Sequence, residues 1–185
     1  DSPDIPDKSR FGWFAKHIRK SKPDIVVQIG DFVTLDSCTH YIRDDTYTAK
    51  IEKPIFMKDM ESMDSAMEEF NYHLKDFKIK KYLTLGNHEK RMFRKEDSNP
   101  TFYGMCQKEF FGNCRKYDWQ VIPYGKYLML GGVGFIHAPI NPMGKEYGGE
   151  ASERQVANKS KIDIVFGHSH RAQDNRVAKI SPVKN

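Results

Sequence analysis

Gly86-Asn87-His88-Glu89, directly behind the strand-like run Lys81-Tyr-Leu-Thr-Leu85, is the stretch on which the fold turns. The run reads as a strand, the glycine as its stop, and Asn87 and His88 as groups able to hold a metal or a proton. Three other segments repeat this layout. Asp24-Ile-Val-Val-Gln-Ile-Gly30 is rich in β-branched residues and leads into Asp31. Val133-Gly-Phe-Ile136 leads into His137, and Ile162-Asp-Ile-Val-Phe166 leads through Gly167 into His168-Ser-His170. In layered α/β proteins, ligands collect outside the carboxyl ends of the strands. Four strand ends bearing Asp, Asn and His therefore predict one convergent site.

Taken singly, most of these residues have plainer readings. Gly30-Asp31 and Asn87 suit turns, and His137 suits a hydrogen-bonded core histidine. His168-Ser-His170 resists that reading, because two imidazoles two residues apart behind a glycine suit a metal. The joint pattern decides in favour of a site. His17, His40 and His73 fall on a helix face, a loop and a helix, and read as structural.

The rest of the chain alternates between helical and strand-like periodicity, which is the pattern of an α/β protein. Lys8–Ser21 reads as a helix with Phe11, Phe14 and Ile18 on one side. A second helix carries Met60, Met63, Met67, Phe70, Leu74 and Phe77 as an apolar stripe, expected to be core packing. The stretch between His88 and Phe111 is expected to be helical in parts. Strands are expected at Trp119–Tyr124, Lys126–Leu130 and Arg176–Ile180, and a helix over Gly149–Asn158. Thr34–Lys58, with Tyr41, Tyr47 and Phe56, reads as a long loop bordering the site and shaping its specificity. No repeat, low-complexity tract or linker divides the 185 residues, so a single domain over 1–185 is expected.

Composition sets outer bounds. Hydrophobic residues make up 38% and charged residues 30%, as in a soluble globular protein. No apolar run approaches the roughly 20 residues a membrane-spanning helix needs. A polar, proline-broken start, Asp1 to Arg10, is unlike a secretory signal. Cys38, Cys106 and Cys114 are odd in number and lack a CxxC pair, as expected of reduced thiols in a cytoplasmic protein. A net charge of +5 is compatible with a phosphate-rich partner such as nucleic acid, although much of it is lysine scattered on helix faces.

Gly30-Asp31, Gly86-Asn-His-Glu89, Ile136-His137 and Gly167-His-Ser-His170 resemble, in order and spacing, the signature of calcineurin-like metallophosphoesterases. The segment layout is also similar to phage-encoded members, which would place the protein in the cytoplasm of a bacterial host. The resemblance implies a four-layer αββα sandwich with a dinuclear metal site at the strand C-termini. It implies that Asp31 bridges both ions, that Asn87, His137 and His168 complete the second, and that His170 binds the first. His88 would instead protonate the leaving oxygen of a phosphomonoester or phosphodiester attacked by metal-held hydroxide. A carboxylate with neutral imidazoles suits Mn²⁺, Fe or Zn²⁺ better than Ca²⁺, and Mn²⁺ is the ion expected here. The substrate class left open is a phosphate ester, nucleic acid or nucleotide included; no membrane partner is expected.

The family's Asp-x-His motif, which ends an N-terminal strand and completes the first metal, has no counterpart in Asp1-Ser-Pro3. Truncation ahead of Asp1, and again after Ser181-Pro-Val-Lys-Asn185, is the expectation. The alternatives are a non-catalytic binding or scaffold protein with a degenerate metal site, and a basic nucleic-acid-binding module. Thr34 and Leu35 stand where protein phosphatases of the superfamily carry Asp and Arg, which argues against a phosphoprotein substrate. Asp36 either orients His88 or faces solvent. Arg91 either offers its guanidinium fork to a phosphate oxygen or forms a surface salt bridge.

Overall fold

A computed structural model describes residues 9–39, 55–149 and 151–170. The chain alternates helix and strand through α1 (Ser9–Ser21), β1 (Ile25–Gln28), α2 (Phe56–Tyr72), β2 (Lys80–Thr84), α3 (Lys90–Ser98) and α4 (Met105–Lys116). It continues through β3 (Trp119–Ile122), β4 (Leu128–Leu130), β5 (Val133–Ile136), α5 (Ser152–Lys159) and β6 (Asp163–Phe166). Short 3₁₀ turns occupy Asp36–Cys38 and Pro100–Phe102.

Among the described residues, two three-stranded sheets form. The first has the order β1-β2-β3 and is wholly parallel, with Ile25 opposite Lys80 and Lys81 opposite Trp119. In the second, of order β4-β5-β6, β5 runs antiparallel to β4 and parallel to β6. Parallel strands cannot be joined by a tight hairpin, so helices must fill the crossovers. Those helices cover the first sheet. Ala15 and Ile18 of α1, Met60, Met63, Met67 and Phe70 of α2, and Phe110 and Cys114 of α4 pack with Val26, Leu83 and Trp119 of the strands in one core. Phe70 anchors it, with its ring 5.6 Å from that of Trp119. Among the described residues, no helix is long and apolar enough to cross a membrane.

The methionine stripe is core packing, as its spacing predicts, but the helix ends sooner than the stripe does. α2 stops at Tyr72, and a pair of turns, Leu74 N–H to Asn71 and Phe77 N–H to Leu74, brings Leu74 and Phe77 to the same apolar side. On α1 the buried face is Ala15 and Ile18, whereas Phe14 is 43% exposed and leans on Phe70 at 6.0 Å. The expected loop from Thr34 to Lys58 is shortened by α2, which begins at Phe56. Tyr41 and Tyr47, like the strand expected at Arg176–Ile180, lie outside the described residues.

Candidate metal centre

Every ligand-type residue named above other than His170 meets another at the carboxyl ends of β1, β2, β5 and β6. The Asp31 backbone is left-handed (φ 49°) just behind β1. That turn aims Oδ1 at the His88 amide, which donates to it at 3.0 Å, and brings Oδ2 to 3.2 Å from His137 Nε2. Asn87 Oδ1 lies 2.9 Å from His137 Nε2 and 2.9 Å from His168 Nδ1. The His137 and His168 rings meet edge to face at 5.4 Å.

Two glycines make this closeness possible. A side chain at Gly86 would place its Cβ 2.1 Å from Asp31 Oδ1, and one at Gly30 would meet the His137 ring at 2.6 Å. Gly30 also carries a positive φ of 69°, a conformation glycine adopts without strain. The two sheets join here as well, since His137 Nδ1 donates to the Ile29 carbonyl at 2.8 Å.

That last bond settles what the ring can do. With Nδ1 bearing the proton that Ile29 accepts, Nε2 of the neutral ring carries a lone pair. It faces Asp31 Oδ2 and Asn87 Oδ1, which are acceptors too. Acceptors turned on one another need a proton or a cation between them. Metal bonds of about 2.0–2.2 Å at right angles, as in an octahedral shell, place adjacent donor atoms about 3 Å apart, close to the 2.9–3.2 Å of the Asp31–His137, His137–Asn87 and Asn87–His168 contacts. The donor set therefore fits a divalent ion. Among the described residues, no three side chains drawn from His, Cys, Asp and Glu alone are set as a metal cage; the Asn87 amide oxygen links Asp31 and His137 to His168.

A proton shared between Asp31 Oδ2 and His137 Nε2 is the alternative to a cation there, and the pKa shifts of the two groups reflect that pairing. Burial, the largest influence on Asp31, raises its pKa, but the His137 hydrogen bond, the His88 amide and the adjacent imidazoles outweigh it and hold the carboxyl below its usual range. Burial lowers the His137 pKa, yet Asp31 and the Ile29 carbonyl raise it further, so the net shift is upward. His88 moves the other way: burial, with Arg91 and His137 adding to it, depresses its imidazole against the pull of Asp31 and Asp36. His88 Nε2 lies 3.9 Å from Asp31 Oδ2, and its buried Nδ1 has no hydrogen-bond partner.

The outlying residues sort as follows. Arg91 Nη1 donates to the Thr34 carbonyl at 2.7 Å and to Asp36 Oδ1 at 3.2 Å. Asp36 thus meets Arg91, and both charges reach His88 through space. His170 is exposed, with a left-handed backbone (φ 54°), and no hydrogen bond ties it to the cluster. His17 stacks on Trp13 at 5.9 Å and His73 meets Glu69 at 3.1 Å, as structural histidines do; His40 lies outside the described residues.

Glu89 closes the Gly86–Glu89 motif, and its spacing alone predicts no function for it. It is wholly buried, and one carboxylate gathers four backbone amides. Oε2 accepts from Gly86 (2.7 Å) and Asp31 (3.0 Å), and Oε1 from Phe32 (2.7 Å) and Val33 (3.2 Å). It ties the loop after β1 to the loop after β2 and so fixes Asp31 against Asn87. Its one sequence signal is a charged residue closing an otherwise metal-type motif.

A family model described as calcineurin-like phosphoesterase matches residues 8–172. The chain belongs to that family. The match runs over all four strand ends that carry candidate ligands and over both sheets. Comparison with curated proteins finds no match, and neither does comparison with solved structures.

Proposed function

We propose that this calcineurin-like phosphoesterase chain hydrolyses a phosphomonoester or phosphodiester in a metal-dependent reaction. One observation carries the reading: three contacts at 2.9–3.2 Å link four lone-pair donors in a chain, Asp31 Oδ2 to His137 Nε2 to Asn87 Oδ1 to His168 Nδ1. They would hold one divalent ion. His170 would join Asp31 at a second, and Mn²⁺ is the proposed metal, with Fe and Zn²⁺ as the other fitting ions. Such ions supply Lewis-acid neutralisation of the phosphoryl oxygens and a hydroxide nucleophile at neutral pH. In this reading residues 1–185 act as one domain of four-layer αββα type.

The protein's own groups divide the remaining work. Asp31 is kept ionised by His137 and the His88 amide, and its backbone is held by Glu89. His137 and His168 present one nitrogen each to the cluster. His88 is the proposed proton donor to the leaving oxygen, acting through the Nε2 that faces Asp31. Arg91 and Asp36 are held as a pair whose field acts on His88, and the remaining guanidinium donors are proposed to reach a phosphate oxygen. The net charge of +5 favours a polyanionic substrate, a nucleic acid or nucleotide, over a phosphoprotein.

The test is hydrolysis of nitrophenyl phosphate and bis(nitrophenyl) phosphate with and without Mn²⁺, beside Asp31→Asn and His88→Ala. Activity should require metal and disappear in Asp31→Asn. It should fall about 10²–10⁴-fold in His88→Ala, the usual worth of a positioned general acid. A folded, Mn²⁺-binding protein inert towards both esters would refute the hydrolase reading.

A further inference from the structure

The turn between β5 and α5 delivers a carboxylate to the site that belongs to none of the metal-type motifs. Asn141 ties this turn together: its side-chain oxygen accepts from the amides of Met143 and Lys145, at 2.9 and 3.1 Å. Ile140 and Glu146 then pair as an isolated antiparallel bridge. That bridge brings Glu146 Oε2 to 3.4 Å from His168 Nε2. The other carboxylate oxygen, Oε1, accepts a hydrogen bond from the Tyr124 hydroxyl. Tyr124 follows β3 of the first sheet, and Lys90 Nζ lies 4.3 Å above its ring. Glu146 therefore spans the two sheets, with Tyr124 on one side and His168 on the other.

The two ring nitrogens of His168 face different chemistry. Nδ1 looks towards Asn87 and the donor cluster at 2.9 Å. Nε2 looks away from it, at Glu146. A carboxylate accepts only, so Glu146 favours the tautomer with the proton on the nitrogen it faces, which leaves the other its lone pair. Metal-binding histidines depend on such a partner to fix tautomer and ring orientation. His137 obtains the same service from the Ile29 carbonyl, with the opposite nitrogen. The two imidazoles thus present Nε2 and Nδ1 respectively, each oriented by an acceptor behind it.

We propose that Glu146, held by Tyr124, is a positioning residue that fixes His168 in the tautomer whose Nδ1 serves the metal centre. The proposal rests on the metal-dependent reading of that centre and adds to it a residue placed by a turn of the second sheet.

The experiment is a Mn²⁺ titration of the full chain at fixed pH for wild type, Glu146→Ala, Glu146→Gln and Tyr124→Phe. Thermal melts of the metal-free proteins report folding, and nitrogen-15 histidine spectra of the Zn²⁺-loaded forms report tautomer. Glu146→Ala is expected to weaken Mn²⁺ binding about 10–100-fold at an unchanged melting temperature, and Glu146→Gln, which keeps an acceptor oxygen, to recover part of the loss. Tyr124→Phe should weaken it less than Glu146→Ala. The loaded wild type should carry its His168 proton on Nε2. Unchanged Mn²⁺ affinity in a folded Glu146→Ala, or a His168 proton on Nδ1 in the loaded wild type, would overturn the proposal alone. Absence of Mn²⁺ binding by the wild type would overturn the metal reading and the proposal together.

Discussion

Glu89 and Glu96 stand seven residues apart, about two helical turns, at the start and near the end of α3, and neither has any solvent exposure. Both accept hydrogen bonds from backbone amides, yet their pKa values move in opposite directions. Burial is the largest influence on each and raises both. At Glu89, deep between the β1 and β2 loops, it prevails over the amides of Gly86 and Val33, and the carboxyl is pushed up. Glu96 lies under a thin cover near exposed Lys95, Asp97 and Ser98, and there the Gln107 and Gly104 contacts together win and hold it down. Zero exposure is not one environment. What matters is how much protein lies beyond the contacting shell, because that sets the desolvation cost.

The two carboxylates also serve different ends. Glu89 binds amides from two separate loops and so sets distances within the proposed metal centre. Glu96 accepts from Gly104 at 3.0 Å and Gln107 N–H at 2.9 Å, which are amides at the N-terminus of α4. It caps a helix from its neighbour, as a negative group at a positive dipole end should. The sharpest way to break this contrast is Glu89→Ala. It strands the buried amides of Gly86 and Val33 and frees two more, at about 1–3 kcal/mol for each fully buried donor. Urea denaturation should show a loss of about 2–5 kcal/mol, with Mn²⁺ affinity falling alongside. A stable Glu89→Ala that binds Mn²⁺ normally would remove Glu89 from the centre.

Glu96→Ala should have the smaller and purely structural effect. Loss of a helix cap typically costs about 0.5–2 kcal/mol, and the Mn²⁺ affinity of this variant should match wild type. If metal binding fell with stability in both variants, the division between site and scaffold would be wrong.

The four strand ends that meet at the candidate site were legible because each joins a short β-rich run to a distinctive residue within two or three positions. Glu89 sat inside the quoted motif, but its function depends on amides 56 to 58 residues away, and no local pattern encodes that. Glu146 was less visible still. It lies in a polar turn without periodicity, 22 residues from both Tyr124 and His168. Asp36 reads from sequence as an orienter of His88 or a solvent-facing residue, and Arg91 as a phosphate clamp or a salt-bridge partner; the structure forms the salt bridge, with Asp36 as its partner 55 residues away. Strand periodicity is local, whereas partners of charged side chains are chosen by the tertiary fold.

Acid should reveal the direction of the Glu96 shift. Its folded pKa lies below the unfolded value, so its stabilisation is complete above the ordinary glutamate pKa, about 4.3, and is lost as pH falls through the depressed folded value. The stability gap between wild type and Glu96→Gln should accordingly be widest near neutrality and close on acidification. Urea midpoints at several pH values measure it. A gap that widens in acid would mean that Glu96 is protonated in the folded state, as burial alone would dictate.

The smallest effect concerns the thiols beside the two carboxylates. Cys114 is buried and pushed up to about 12, by burial first and the Glu89 charge second. Cys106 is only partly buried and is also raised, by burial and then by Glu96. Glu96→Gln removes that charge and should lower the Cys106 pKa, increasing its thiolate fraction at any pH below it. Alkylation of Cys106 by iodoacetamide in the folded protein should then quicken by less than about tenfold, the equivalent of one pKa unit. Cys114 should stay inert in both proteins, because its cover and its neighbouring charge are untouched. Peptide mass spectrometry separates the two sites. Equal acceleration at both cysteines would show that the variant had loosened α4 as a whole, and that Glu96 acts as its cap more than as a neighbouring charge.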